Sequence, residues 1–493
     1  MTIRILHKSL LVLLLSASLL IGCSTGTGEQ QTSTSSSIET EAPTELPTPT
    51  PTPTPTPLPL NGQETQYFIN ATVNYYNLFL DVTSRSVYTN KTNAPINEMV
   101  FIVYPALYAA IYTKNVAIEN RDQAVEYYWD GHRMVIPLDS PLQPDEQIEI
   151  VHEYELYMPE DGGVFGLSDG QLNLSYWFPF IPPYDEAEGW VAHERQLVNS
   201  WIVGEYLAFE AADFDVTLQF TDRRENFKIA APALPEEENE FIHYHLDLAR
   251  TFVLSISDQF NLTEREVNGT KIQSYTLYGH ASTGEDVADI AVEALTLYNE
   301  LYGEYDRKIL TIVEFNEDIG MEFDGLIFLS PTFYNLYPGT PKSNIHVYTA
   351  HEISHQWFFS MVGNDQAMEP WLDEAFATFS ERVFYERYYP DYLDWYLDNY
   401  IYAHDPYGYI DTTIYYGGDL FDYRDIVYRN GSLFLQDLRE LMGDEAFFSF
   451  IQDYVRQNKY QIATTQGFIS LLKSHTDADL APLLEEYFSS SFD

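Results

Sequence analysis

The stretch His351-Glu352-Ile353-Ser354-His355, followed after eighteen residues by Glu374 within Trp371-Leu372-Asp373-Glu374-Ala375-Phe376-Ala377, decides how the chain is read. On a helix, residues four apart share a face, so His351 and His355 can turn two imidazoles toward one metal ion. Glu352, next along the same turn, can then reach a water beside that ion. A structural zinc site is closed by four protein ligands, whereas a hydrolytic one keeps three and an open position, and Glu374 supplies the third. Pro370 marks the start of a helix that brings this carboxylate back toward the histidines. Two histidines and a glutamate at this spacing also arise by chance on solvated helix faces. The downstream carboxylate is what separates a ligand set for one Zn2+ from such a face.

Around this stretch the pattern is mixed helix and strand. Ser282-Thr283-Gly284-Glu285 has the form of a capping box, and Ile290, Ala294, Leu297 and Leu301 repeat at helical spacing up to Gly303. Lys271 to Tyr278, Ile309 to Val313 and Leu326 to Leu329 read as strands. The histidine helix should begin around Ser343. Downstream, helices are expected over 371–388, 427–442, 446–458 and 468–475. His346, His404 and His475 lack ligand spacing to any partner and are read as surface or core residues.

Upstream, from about Tyr67 to Ser257, the period falls to two. Ile148, Ile150, Tyr154 and Leu156 share one face of a strand whose other face carries Glu149, Glu153 and Glu155. Asp130-Gly131 is a tight-turn signal between Tyr127-Tyr128-Trp129 and Met134-Val135-Ile136. Further strands are expected at 78–82, 99–104, 214–220 and 251–256. The aromatic run from Trp177 to Tyr184 is expected to pack against the following domain. The fold class is therefore α+β and multidomain: a β-rich domain over 66–258, then a mixed catalytic domain over 259–493 with a helical C-terminal part.

The N-terminus reads differently. Met1 to Lys8 is basic and Leu10 to Ile21 apolar, too short a core to span a bilayer, so residues 1–22 are expected to be a cleaved signal. Leu20-Ile21-Gly22-Cys23 resembles the lipobox of bacterial lipoproteins, which implies lipidation of Cys23, the chain's one cysteine. Residues 23–65 read as a tether, with Pro alternating with Thr or Leu from Pro47 to Pro59. Extended polyproline II at about 3.1 Å per residue would span roughly 40 Å there. The expected location is the extracytoplasmic face of a cell membrane, held by the lipid. The formal charge of −50 disfavours nucleic acid and anionic surfaces as partners.

Taken with its spacer, the motif resembles that of the gluzincin zinc aminopeptidases, the group of aminopeptidase N. The likeness runs from about residue 66 to the end. It implies a saddle-like β domain followed by a thermolysin-like catalytic domain, peptide substrates, and removal of N-terminal residues. Tyr428, in Val427-Tyr428-Arg429-Asn430-Gly431, matches the family's Tyr-x-x-Gly segment, whose tyrosine stabilises the oxyanion. Glu322, in Gly320-Met321-Glu322-Phe323, matches a strand whose glutamate grips the substrate's α-ammonium and whose backbone pairs with the peptide. Phe323 stands where that family usually has Asn. The large helical domain of many members is absent or reduced to a remnant in the sequence, from which a more open cleft accepting longer peptides is expected. Within this reading Glu352 is the general base. An endopeptidase on the same scaffold and a catalytically inactive peptide-binding lipoprotein are the alternatives; cleavage of N-blocked peptides would favour the first, and absence of turnover the second.

Overall fold

The computed structural model describes residues 64–119, 125–160, 162–199, 201–317 and 320–492. The leader expected over 1–22, the lipidation at Cys23 and all but the last two residues of the expected tether lie outside the described residues.

Alternating burial builds the first half. Phe79–Thr89 and Gln147–Tyr157 pair antiparallel along eleven residues each; the second buries every other side chain, and the first does so as far as Ser86, after which each residue is buried. They belong to a seven-stranded sheet in the order 236–238, 241–249, 212–220, 65–74, 79–89, 147–157, 111–118. Its one parallel pairing joins Thr65–Asn74 to Ala212–Phe220. Three strands at 96–102, 133–142 and 128–130 form a smaller sheet, in which Gly131 takes the positive φ of 62° that the turn between the last two requires. A four-stranded sheet built from 228–230, 254–257, 171–174 and 165–168 leads toward the catalytic half.

The aromatic run departs from expectation. Phe178 packs on Tyr67 and Phe214, with ring centroids at 5.4 and 5.6 Å, and the Trp177 indole donates to the Phe252 carbonyl at 3.1 Å. The Ile181 amide donates to the Tyr67 hydroxyl at 2.8 Å. These partners hold the run within the β-rich half; its predecessor Tyr176 is the one that reaches across, to Phe323.

From Asn261 a five-stranded mixed sheet begins, ordered 261–267, 270–276, 309–314, 326–329, 321–323. Met321–Phe323 is its edge strand, antiparallel to Leu326–Leu329. The helix Ala281–Tyr302 crosses between the parallel strands 270–276 and 309–314. Its expected capping box does not form: the N-cap is His280, whose imidazole is held by Glu314 at 2.7 Å, so Ser282 already lies inside the first turn. The same helix locks the two helices that matter most. Tyr298 donates to the carbonyls of Ala350 and Ser380 at 3.1 and 3.0 Å, joining Asn344–Ser354 to Trp371–Tyr388. Four helices come after the segment around residue 430: Gly431–Met442, Asp444–Asn458, Thr465–His475 and Ala481–Tyr487.

Several polar side chains are buried in the β-rich half without a hydrogen-bond partner, His152 among them. His152 is 1% exposed, its ring meets Phe101 at 4.5 Å, and neither ring nitrogen has a hydrogen-bond partner. Burial pushes its pKa from the ordinary 6.5 down to about 3. Above pH 6.5 the ring is neutral folded or unfolded and costs nothing further. As pH falls below 6.5 the unfolded chain takes up a proton that the folded one refuses until about pH 3, so stability falls by up to about 1.4 kcal/mol per pH unit. His152→Phe should therefore lose up to roughly 2.7 kcal/mol less than wild type between pH 7.5 and 4.5, read from urea unfolding; parallel pH curves for the two proteins would refute this.

Candidate active site

Two helices and one edge strand converge on the motif residues. Asn344–Ser354 is almost wholly buried and carries His351 and Glu352, with His355 at its C-terminal cap. Trp371–Tyr388 carries Glu374 in its first turn and Glu381 two turns on, on the same face. The Nε2 atoms of His351 and His355 face each other at 3.3 Å. Glu374 Oε2 lies 3.3 Å from the first and 3.5 Å from the second.

The tautomers are set by the outer partners. His355 Nδ1 lies 3.0 Å from the Phe358 carbonyl, which can only accept, so that nitrogen carries the proton. His351 Nδ1 donates in the same way to Glu381 Oε1 at 2.6 Å, and Glu381 Oε2 accepts from the Tyr396 hydroxyl at 2.8 Å. Both Nε2 atoms are thus lone pairs aimed at one point, and the Glu374 Oε2 beside them is buried without a hydrogen bond. Three acceptors that close need a cation between them. Ligands held tetrahedrally at about 2.0–2.1 Å are about 3.3–3.4 Å apart, which matches these separations and fits one zinc ion.

The charges agree. Burial disfavours protonated imidazoles, yet the hydrogen bonds and charges of Glu374 and Glu381 hold His351 well above its ordinary value, and Glu374 with Glu322 lifts His355 to about 10. Burial raises Glu374, but the two imidazoles win and hold it below the usual carboxylate range. Positive charge is favoured here against desolvation, and a divalent ion supplies it with both rings neutral.

The remaining expected residues surround this point. Glu352 is 4% exposed and its Oε2 has no hydrogen-bond partner. Burial first, then repulsion from Glu322 against attraction to His351, pushes its carboxyl up to about 8. Its place explains Gly320: a Cβ there would lie 1.9 Å from Glu352 Oε1. Tyr428 donates from its hydroxyl to Glu374 Oε1 at 2.6 Å, and its ring lies parallel to that of His351 at 6.2 Å. It sits in a π-helical turn, Asp425–Asn430, where a continuous α-helix was expected. Gly431 ends that turn, because a Cβ there would strike the Cβ of Ala375, one residue beyond Glu374, at 2.5 Å. The close approach of the two segments is what lets Tyr428 reach the ligand carboxylate.

Glu322 is 6% exposed on the edge strand and accepts from Gln366 Nε2 at 3.0 Å. Its carboxylate, with Glu352 and His355, and again with Glu205 and Glu374, forms groups whose ligand atoms lie within 4.8 Å of one another. Phe323 points the other way, into the core, as strand alternation requires. Sequence reading missed Glu205, Gln366 and Glu381. Glu381 had a signal, the seven-residue step from Glu374; the other two had none, being brought in from distant loops.

All these groups line one cavity of about 560 Å³. The histidine-holding role of Glu381 gives a prediction that needs no turnover. Glu381→Ala should weaken zinc binding about 10- to 100-fold in a chelator competition, with Glu381→Gln, which keeps an accepting oxygen, between the two. Wild-type affinity in Glu381→Ala would rule the role out.

Comparison with known proteins points one way. Residues 287–487 match the model of the Peptidase family M1 domain. The chain is 25% identical over 392 residues to rice aminopeptidase M1-C, covering 73% of this chain and 44% of that protein. It is 24% identical over 338 residues to aminopeptidase N of Lactobacillus helveticus, covering 62% and 40%. It thus spans less than half the length of these curated relatives. In fold, it resembles a mutant M1 zinc metallopeptidase from Deinococcus radiodurans with a TM-score of 0.62 at 17% identity, covering 87% of this chain and 96% of that one. A second structure of that protein, described as bound to a Tyr-Ser-Ala substrate, gives 0.60 with the same coverage.

Proposed function

We propose that residues 287–487, which match the Peptidase family M1 domain, form a domain of the gluzincin, aminopeptidase N-like kind and that the protein is a zinc aminopeptidase. It would remove the N-terminal residue from peptides outside the cytoplasm while tethered to a membrane. The observation that carries the exopeptidase reading is the pair Glu322 and Glu205. Both line the cavity beside the ligand Glu374, and neither forms an ion pair with a protein cation among the described residues. Burial raises both; Glu322 and Glu374 add repulsion at Glu205, and Glu374 adds it at Glu322 against the pull of His355. An α-ammonium between them relieves that repulsion and fixes the substrate by its end.

Register is set by that anchor. The edge strand 321–323 can pair with an extended peptide, one residue of which separates the ammonium from the scissile carbonyl. His351, His355 and Glu374 would hold a zinc ion, which would supply Lewis acidity to the scissile carbonyl and the attacking water. Glu352 takes the proton from that water as the new C–O bond forms, its unpartnered Oε2 being free to do so. The Tyr428 hydroxyl donates to the oxyanion as it develops. Glu352 then hands its proton to the leaving nitrogen as the C–N bond breaks.

Glu352→Ala should keep its zinc and lose about 10³-fold or more in turnover of aminoacyl aminocoumarins. In the same assay N-acetylated peptides should resist wild-type enzyme. Equal cleavage of blocked and free peptides would make this an endopeptidase, and zinc-loaded wild type without turnover would make it a peptide-binding protein.

The tether belongs to the same proposal. The apolar leader, the Leu-Ile-Gly-Cys segment and the Pro-rich stretch support anchorage at Cys23. Among the described residues no helix is long and apolar enough to cross a membrane. Cys23→Ser should abolish incorporation of labelled fatty acid and move the protein out of the membrane fraction; a membrane-bound, unlabelled wild type would refute lipid anchoring.

A further inference from the structure

The cavity of this acidic chain also holds cations. Arg424 and Arg429 both line it. Arg429 is committed, pairing with Asp425 and donating from Nε to the Tyr400 carbonyl at 2.8 Å. Arg424 is not. It stands exposed at the end of the short helix Leu420–Arg424, with neither an ion pair nor a side-chain hydrogen bond among the described residues. Its guanidinium lies 6.0 Å from the Tyr428 ring centroid, the outer limit of a cation–π contact, which leaves its five donors free.

Its position relative to the metal point is informative. Tyr428, over whose ring the Arg424 guanidinium lies, is parallel to His351, and Tyr348 packs on the same His351 ring at 6.3 Å. Glu322 and Glu352 instead group with His355. Glu322 and Glu352 thus stand on the His355 side, whereas the His351 side holds Glu381, already bonded to His351 and Tyr396, and an unpaired guanidinium. A peptide whose ammonium lies at Glu322 and Glu205 reaches the oxyanion donor Tyr428 after one residue. The leaving portion, beyond the scissile bond, passes toward Arg424.

We propose that Arg424 receives a carboxylate on the leaving-group side of the scissile bond, making the enzyme selective for short peptides by their C-terminal carboxylate or for peptides with an acidic second residue. Both sources present the same planar anion, which a guanidinium binds through two parallel hydrogen bonds. In a chain of formal charge −50 such a group also offsets the repulsion that an anionic leaving portion would meet. The assignment rests on the aminopeptidase reading for its direction along the peptide.

The test separates the two. On zinc-loaded Glu352→Ala protein, binding of Ala-Gly, Ala-Gly-amide, Ala-Asp-amide and Ala-Asn-amide is measured by calorimetry with and without Arg424→Gln. Preference for Ala-Gly over its amide identifies the chain terminus, and preference for Ala-Asp-amide over Ala-Asn-amide the side chain. Either preference should be about 10- to 100-fold and should collapse toward one in Arg424→Gln, with Arg424→Lys retaining part. In active protein the same loss should fall in KM rather than kcat. Absence of both preferences, or equal weakening of free-acid and amide ligands, overturns the proposal. Because binding is read without turnover, failure of wild type to hydrolyse any of these peptides counts against the aminopeptidase reading alone.

Discussion

Three lone pairs pointed at one buried position are the constraint on which the rest of the structure depends. With both Nδ1 atoms spent as donors, to Glu381 and to the Phe358 carbonyl, the two Nε2 atoms and Glu374 Oε2 cannot satisfy one another. Left without a cation, such an arrangement would carry the full cost of buried, mutually repelling acceptors. The fold commits two helices to it, binds their backbones together through Tyr298, and braces the outer carboxylate with Tyr396. Packing this dense around a polar point is intelligible only if the ion contributes its binding energy to the folded state.

The β-rich half is joined to that point by one arginine. Arg250 is 3% exposed and gives its guanidinium to carbonyls of Phe359, Ser360, Phe209 and Gln461 at 2.5–3.0 Å. Phe359 and Ser360 directly succeed Phe358, whose carbonyl orients His355. The Arg250 amide meanwhile donates to Asp324, which also binds Arg307 and closes the edge strand carrying Glu322. A single buried cation thus ties the segment behind the metal ligand to the strand expected to read the substrate. Hydrogen bonds to charged groups are among the stronger ones, and their loss here would leave several carbonyls unpaired at once.

What was legible in the sequence was what local geometry encodes. Spacing of four on a helix brought His351 and His355 together, and a spacing of one brought Glu352. Period-two burial announced the long strands, as at Ile148 to Leu156. The failures occurred where a distant partner overrode a local signal. Glu314 captures His280 and moves the helix start ahead of the Ser-Thr-Gly-Glu box. Gly431 presses against Ala375, and the turn before it widens from α to π. Glu205, Gln366 and Arg424 enter the cavity from segments with no motif, since nothing local distinguishes a charge that will face a site from one that will face water.

Phe323 is the position where resemblance and structure bear on each other most directly. On a strand, neighbours face opposite ways, so Glu322 meets the cavity while Phe323, 1% exposed, packs between Tyr176 and Phe328 at 5.5 and 5.6 Å. Replacing a polar residue there with an aromatic one changes the layer behind the strand and leaves the carboxylate that faces the cavity in place. Its influence reaches the cavity through Tyr176, which lines the wall and stacks on Phe209 at 5.7 Å. The backbone of the edge strand stays pinned independently, by Gln356 donating to the Phe323 carbonyl at 3.0 Å and by Thr251 accepting from the Asp324 amide. Under the proposed function, choice between the end and the middle of a peptide would turn on the two carboxylates at 322 and 205, and residue 323 would act on the shape of the pocket wall instead.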